Sequence, residues 1–265
     1  MNRFQRDTAV EPLGGGRFSA RIDPGWWIVR GPNGGYVAAI LLRALRAAVA
    51  DPARLPRSFT VHFTSPPSEG PAELATTLER VGRTVTTATA RLEQGGKLRA
   101  LALAAFGTPR HGPDFAHLVR PEVTPPERAT PLASNVPIPM RERYECRAVF
   151  AAPGASAPEA VTGGWIRLRE GPRVVEPELL AAYTDSWPPS IFSQVPPGTL
   201  SSGVPTVDLT VHFRAPWPAA EDADDFALIV FRSRLARDGF VEEDGEVWTR
   251  GGLLLAQSRQ LALVG

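Results

Sequence analysis

The segment Thr60-Val61-His62-Phe63 recurs as Thr210-Val211-His212-Phe213, and Pro66 recurs as Pro216, both at an offset of 150 (210 − 60). Gly95-Gly96 then matches Gly251-Gly252 at an offset of 156 (251 − 95), which implies a six-residue insertion between the two matches. Two matches in the same order and at nearly the same offset read as a duplication, so the chain is expected to build one unit twice. Between the copies, Pro109, Pro113, Pro121, Pro125, Pro126, Pro131, Pro137 and Pro139 are too dense for a helix or a central strand. The expected organisation is an N-terminal repeat over 1–108, a Pro-rich surface linker over 109–139 and a C-terminal repeat over 140–265.

Each copy opens with turn-rich sequence and continues into a helix and then strands. Asn33-Gly34-Gly35 opens the stretch from Tyr36 to Ala50, which is apolar around nearly its whole circumference apart from Arg43 and Arg46. Such a helix must be enclosed by protein on most faces. Alternating patterns predict strands around Phe59, Val61 and Phe63, over Leu74 to Arg80, Thr84 to Glu93 and Leu98 to Phe106, with Gln94-Gly95-Gly96-Lys97 as a hairpin turn. In the second copy strands are predicted around Val207 to Phe213 and over Phe226 to Arg234, Gly239 to Glu243, Val247 to Arg250 and Leu253 to Val264. A nearly all-apolar helix with an antiparallel sheet long enough to wrap it is an α+β arrangement.

Scarce residues exclude several chemistries. With 29 basic against 28 acidic side chains the net charge is +1, which gives no footprint for nucleic acid or an anionic membrane. Cys146 is the one cysteine, so neither an internal disulfide nor a thiolate zinc cluster can form. The four histidines, His62, His111, His117 and His212, have no metal-motif spacing, and no metal site is expected. No G-x-S-x-G elbow and no phosphate loop occur. The N-terminus lacks a signal-peptide pattern. The apolar stretch from Tyr36 to Ala50 falls short of the ~18 residues of a membrane span. A soluble, cytoplasmic protein is the expectation.

Gly34-Gly35-Tyr36 opening an apolar helix, then Ser58-Phe59-Thr60-Val61-His62-Phe63 with Pro66, then Gly82-Arg83-Thr84 entering a hairpin, resembles the N-terminal half of acyl-CoA thioesterase II. The C-terminal half is similar too, with an Asp at the head of a helical segment, a Thr ten residues before a strand-ending Pro and a Gln in the last strand. The Pro-rich linker and Trp187-Pro188-Pro189 depart from that pattern. The resemblance implies a double hotdog fold, two tandem repeats each wrapping a sheet around a central helix. It implies hydrolysis of a fatty acyl-CoA to free acid and coenzyme A without a cofactor. Chains of this architecture resemble a pre-joined dimer and can associate into homo-oligomers.

Carried over by residue, the family's catalytic trio falls on Asp185, Thr206 and Gln260. The sequence supports each in part. Pro188 and Pro189 suit the first turn of a helix, so the second copy's central helix is expected to start near Trp187 with Asp185 at its N-terminal edge. There the helix dipole favours a carboxylate, although an ordinary Asp cap fits equally. Gln260 shares a strand face with Leu254, Ala256, Ser258, Ala262 and Val264; a buried amide must be hydrogen-bonded, whether for catalysis or as a satisfied core glutamine. Thr206 keeps the family's spacing to Pro216, and Thr210 on the same face is a rival. At the nominal offsets copy one has Gly35, Pro56 and Ala104 opposite the trio, which fits one chemical site on a duplicated scaffold.

A thioester carbonyl is electrophilic enough for direct attack by water. Asp185 is therefore expected to act as base, with Thr206 and Gln260 fixing the water. Gly34 and Gly35 would offer backbone N–H groups to the oxyanion, with Tyr36 and Trp187 beside the substrate and the acyl chain in an apolar groove between helix and sheet. Trp26, Trp27 and Trp165 could line that groove, although aromatics near a helix start more often simply pack. His62 and His212 sit on the polar strand face, which favours a structural or solvent-facing role; His111, His117 and Cys146 have no assigned work. The rival readings are a non-catalytic acyl- or acyl-CoA-binding protein and a hotdog hydratase or dehydratase. The latter pairs an Asp with a His five residues on, where this chain has Ser190.

Overall fold

Antiparallel strands in the first half build from one long helix outward. The computed structural model describes residues 1–133, 137–150, 157–171, 175–195, 199–200, 203–215 and 226–265; Pro216, half of the Pro66/Pro216 match, lies outside them. After a short helix α1 (Arg3–Asp7) come β1 (Glu11–Gly14) and β2 (Arg17–Ile22), then α2 (Gly34–Val49), β3 (Leu55–Phe63), β4 (Gly70–Val81), β5 (Val85–Gln94) and β6 (Lys97–Gly107). The second half holds β7 (Thr130–Pro131), β8 (Tyr144–Ala148), β9 (Ala160–Leu168), helix α3 (Pro177–Tyr183), β10 (Thr206–Phe213), β11 (Ala227–Ser233), β12 (Ala236–Arg237), β13 (Phe240–Trp248) and β14 (Leu254–Leu263).

All strands join one antiparallel sheet in the order β1-β2-β4-β5-β6-β3-β10-β14-β13-β11-β9-β8-β7, with β12 on β13. The halves meet at β3 and β10, where Thr60 faces Thr210, Phe59 faces Val211 and Val61 faces Leu209. Residues 150 apart therefore surround one point, and the Thr60 and Thr210 hydroxyls share a hydrogen bond of 3.0 Å there.

The α2 helix forms where its sequence predicts. Asn33 caps it by accepting the Tyr36 N–H at 3.0 Å. Its sheet-facing side chains are fully buried because β5 and β6 meet it with small residues, Ala88, Ala90, Ala100, Ala102 and Ala104. Its two cations leave this apolar packing toward the start of α3: Arg43 reaches Glu176 at 3.3 Å, and Arg46 contacts both oxygens of buried Glu178 at 2.8 Å.

The central helix expected from Trp187 in the second copy does not form. The α3 helix ends at Tyr183, and only a short 3₁₀ turn, Ser190–Ser193, follows. Consecutive Pro188 and Pro189 lack N–H donors, and each pushes its predecessor out of helical conformation. The strands read as Gly239–Glu243 and Val247–Arg250 are one continuous β13, since Asp244-Gly245-Glu246 stays paired on both sides. Sequence patterning also misses β1, β2, β8 and β9. In β9 Gly163 and Gly164 sit where neighbouring strands approach too closely for a side chain: a Cβ on Gly163 would lie 2.2 Å from the Ile229 carbonyl oxygen. No regular element occupies 108–125.

Candidate active site

Just past the end of α3, Asp185 reaches the start of α2 in the other half of the molecule. The approach requires Gly35, whose added Cβ would stand 2.7 Å from the Ala182 carbonyl oxygen. Asp185 Oδ2 accepts the Gly35 N–H at 2.9 Å and an Asn33 Nδ2–H at 2.9 Å, while the same amide donates to the Asp185 carbonyl at 2.6 Å. Asp185 thus heads α2, in the first half of the chain, rather than a helix starting near Trp187, which corrects the position expected for it. Burial pushes its carboxyl up to about 7, and the charge of Glu243 adds to the rise. Hydrogen bonds from Gly35, Asn33 and Gly34 pull the other way without prevailing.

The other two members of the trio meet on the sheet. Thr206 Oγ1 donates to Gln260 Oε1 at 3.0 Å, and Gln260 Nε2 donates to Glu243 Oε1 at 2.8 Å. Register makes this possible, with Gln260 opposite Glu243 on β13 and opposite Leu209 on β10. Glu243 Oε2 accepts the Ser190 N–H at 2.6 Å, and the Ser190 and Ser233 hydroxyls are 2.8 Å apart. Burial raises the Glu243 carboxyl, opposed by the hydrogen bonds from Ser190 and Gln260. Thr210 is committed to Thr60, so Thr206 is the hydroxyl on Gln260.

Both groups lie at the Phe63 end of the seam. Asp208 pairs with His62, which puts Thr206 at that end, and a Cβ on Gly34 would touch both Asp185 Oδ2, at 2.9 Å, and the Phe63 ring, at 3.1 Å. Among the described residues no hydrogen bond joins Asp185 to the Thr206–Gln260–Glu243 chain, and the two are linked through the charge of Glu243.

Glu243 is the residue sequence reasoning passed over. Its signal was present: Val241, Glu243, Gly245 and Val247 alternate inward along β13, a lone carboxylate on an otherwise apolar face. Asn33, a turn residue by sequence, both caps α2 and holds Asp185. Gly34 and Gly35 serve the Asp185 carboxylate. The buried Tyr36 hydroxyl bonds Asp7 O at 2.8 Å, Arg21 O at 3.2 Å and the Asp23 N–H at 3.1 Å, while its ring stacks on Trp26. Trp187 is buried in the main core cluster, and Trp165 in a second one with Phe226 and Trp248. His62 and His212 are exposed. The face of α2 toward the sheet is closed; an apolar cleft lies instead between α3 and the seam, lined by Leu55, Pro56, Leu180, Phe213, Ala215 and Leu255. Among the described residues no group of three His, Cys, Asp or Glu could hold a metal ion, and no helix is long and apolar enough to cross a membrane.

This architecture is that of hotdog proteins. A protein of unknown function with a hotdog fold from Alicyclobacillus acidocaldarius superposes with a TM-score of 0.90 at 28% identity, covering 100% of this chain and 98% of that one. A candidate thioesterase II from Thermobifida fusca gives 0.85 at 29% over the same shares. An uncharacterized protein of Mycobacterium tuberculosis is 27% identical over 93% of this chain and 90% of its own length. The family profile of the acyl-CoA thioesterase N-terminal domain matches residues 23–107, and that of the C-terminal domain matches 117–264. The chain belongs to the acyl-CoA thioesterase family.

Proposed function

We propose that this protein is a double hotdog acyl-CoA thioesterase, with repeats over 1–108 and 140–265 joined by the segment 109–139. It hydrolyses a fatty acyl-CoA by direct attack of water. The observation that carries this reading is Asp185, a carboxyl raised to about 7 by burial and fixed in orientation by Gly35 and Asn33. A base that titrates near the working pH combines sufficient basicity with a useful ionised fraction.

In the proposed step, ionised Asp185 removes a proton from water as its oxygen adds to the thioester carbonyl carbon. The tetrahedral intermediate then expels the coenzyme A thiolate, and the proton held on Asp185 passes to that sulfur. Free acid and thiol leave. Gln260 commits one amide hydrogen to Glu243 and turns the other to the water, while Thr206, whose own hydrogen is committed to Gln260, offers a lone pair. The Gly34–Gly35 start of α2 serves both partners, since it holds Asp185 and its dipole stabilises negative charge developing nearby. Trp187, two residues beyond Asp185, lies beside the apolar acyl chain, and the buried Tyr36 holds the wall behind it. The chemistry calls for no cofactor or metal, and the setting proposed is the cytoplasm.

A panel of acyl-CoA esters of graded chain length, assayed for free thiol, tests the reading. The native protein is expected to release thiol, and Asp185→Asn to lose on the order of 100-fold in kcat/KM. Retention of most turnover by Asp185→Asn overturns the assignment. Saturable acyl-CoA binding without thiol release supports the acyl-binding alternative.

A further inference from the structure

The segment Pro139–Ala148 carries an imbalance that the thioesterase reading does not use. Arg141, in the 3₁₀ turn Pro139–Glu142, buries its Nε and Nη1 with no hydrogen-bond acceptor. Tyr144, which opens β8, is 1% exposed and its hydroxyl is likewise unpartnered. Trp27 Nε1 is a third such group. These segments are neighbours, because the Met140 N–H donates to the Trp27 carbonyl at 3.1 Å and Arg143 Nε donates to the Gly25 carbonyl at 3.2 Å.

All of these orphaned atoms carry hydrogens to donate. Nearby carboxylates are already committed: Glu145 to Arg147 and Arg167, and Glu142 to Arg143. Arg141 acts on Cys146, which shares a face of β8 with Tyr144, and the Tyr144 hydroxyl lies in the field of Tyr183 and Asp185. The Cys146 thiol is pushed up to about 12 by burial and supplies no anion at neutral pH. A guanidinium largely withdrawn from water with no counter-charge is costly, and a bound anion removes that cost.

We propose that Arg141, Tyr144 and Trp27 form a binding site for an anionic oxygen ligand, a carboxylate or a phosphate. Arg141 supplies the charge and two directed N–H donors, and the Tyr144 hydroxyl and the Trp27 indole N–H add two further donors for an acceptor-only group. The inference does not rest on the thioesterase reading, although the Tyr144 hydroxyl lies in the field of Asp185.

Thermal denaturation of the full chain tests it. Titrations use inorganic phosphate, adenosine 3′,5′-bisphosphate and octanoate, each at ionic strength matched with chloride. A saturable rise in Tm is expected for the native protein, with apparent affinity falling about tenfold in Arg141→Met and in Tyr144→Phe, as loss of a charge-assisted hydrogen bond implies. Saturation by phosphate and the nucleotide identifies a phosphate source; saturation by octanoate alone identifies a carboxylate. Should Arg141→Met fail to fold, Tyr144→Phe, which deletes one unpartnered oxygen without changing shape, decides. No saturable shift, or equal shifts in native and variant proteins, overturns the proposal. No thioester is present in the assay, so its failure leaves the thioesterase reading untouched.

Discussion

At Asp185 two opposing forces act on one carboxyl. The start of α2 and the Asn33 amide favour its charge, and burial together with Glu243 disfavours it more strongly. As the base must be ionised, kcat/KM is expected to rise with pH through an apparent pKa near 7. Glu243→Gln removes a neighbouring negative charge and turns an NH₂ toward a donor, Ser190 N or Gln260 Nε2. The acidic limb should then move to lower pH while kcat falls by about tenfold, as read from pH–rate profiles. Stability follows the same linkage. A folded-state pKa above the unfolded value of about 3.9 gives a contribution that is complete below that pH and is lost as pH rises through about 7. Asp185→Asn should therefore flatten the dependence of Tm on pH across this window.

The elements show where local signals suffice. Asn33 and a run of apolar residues specify α2, and Gly95-Gly96 with positive φ specifies the β5–β6 hairpin. One end of α2 is suboptimal, since its C-cap Ala50 holds φ 53°, a left-handed conformation that costs a side chain about 1 kcal/mol. Ala50→Gly, exposed to solvent, should raise stability by up to about 1 kcal/mol, seen as a higher urea midpoint at unchanged m. The proline signal at Pro188-Pro189 is legible, but it follows the end of α3 instead of opening a helix. Proline suits a helix start only if the sequence beyond continues the helix, and Ser190–Ser193 is a 3₁₀ turn instead. The inward alternation of β13 likewise pointed to Glu243, though nothing local says that a cross-strand glutamine awaits it.

Across the whole molecule, the β3–β10 seam makes two halves one sheet. The Thr60–Thr210 hydrogen bond marks its centre. Replacing either residue by Val leaves the other hydroxyl without its partner and should cost about 1 kcal/mol, while the double variant should cost less than the sum, as a double-mutant cycle in urea reads out. The enclosed helix, the strands β3 to β6 and the inward face of β14 were written in the sequence, because periodicity and capping act over a few residues. Residues 150 apart in sequence meet at the seam, and Asp185 crosses to the helix α2 of the first half because Gly35 leaves room beside Ala182. Neither follows from local preference: strand partners and helix neighbours are selected by which surfaces bury one another, and that selection is made only when the whole chain packs.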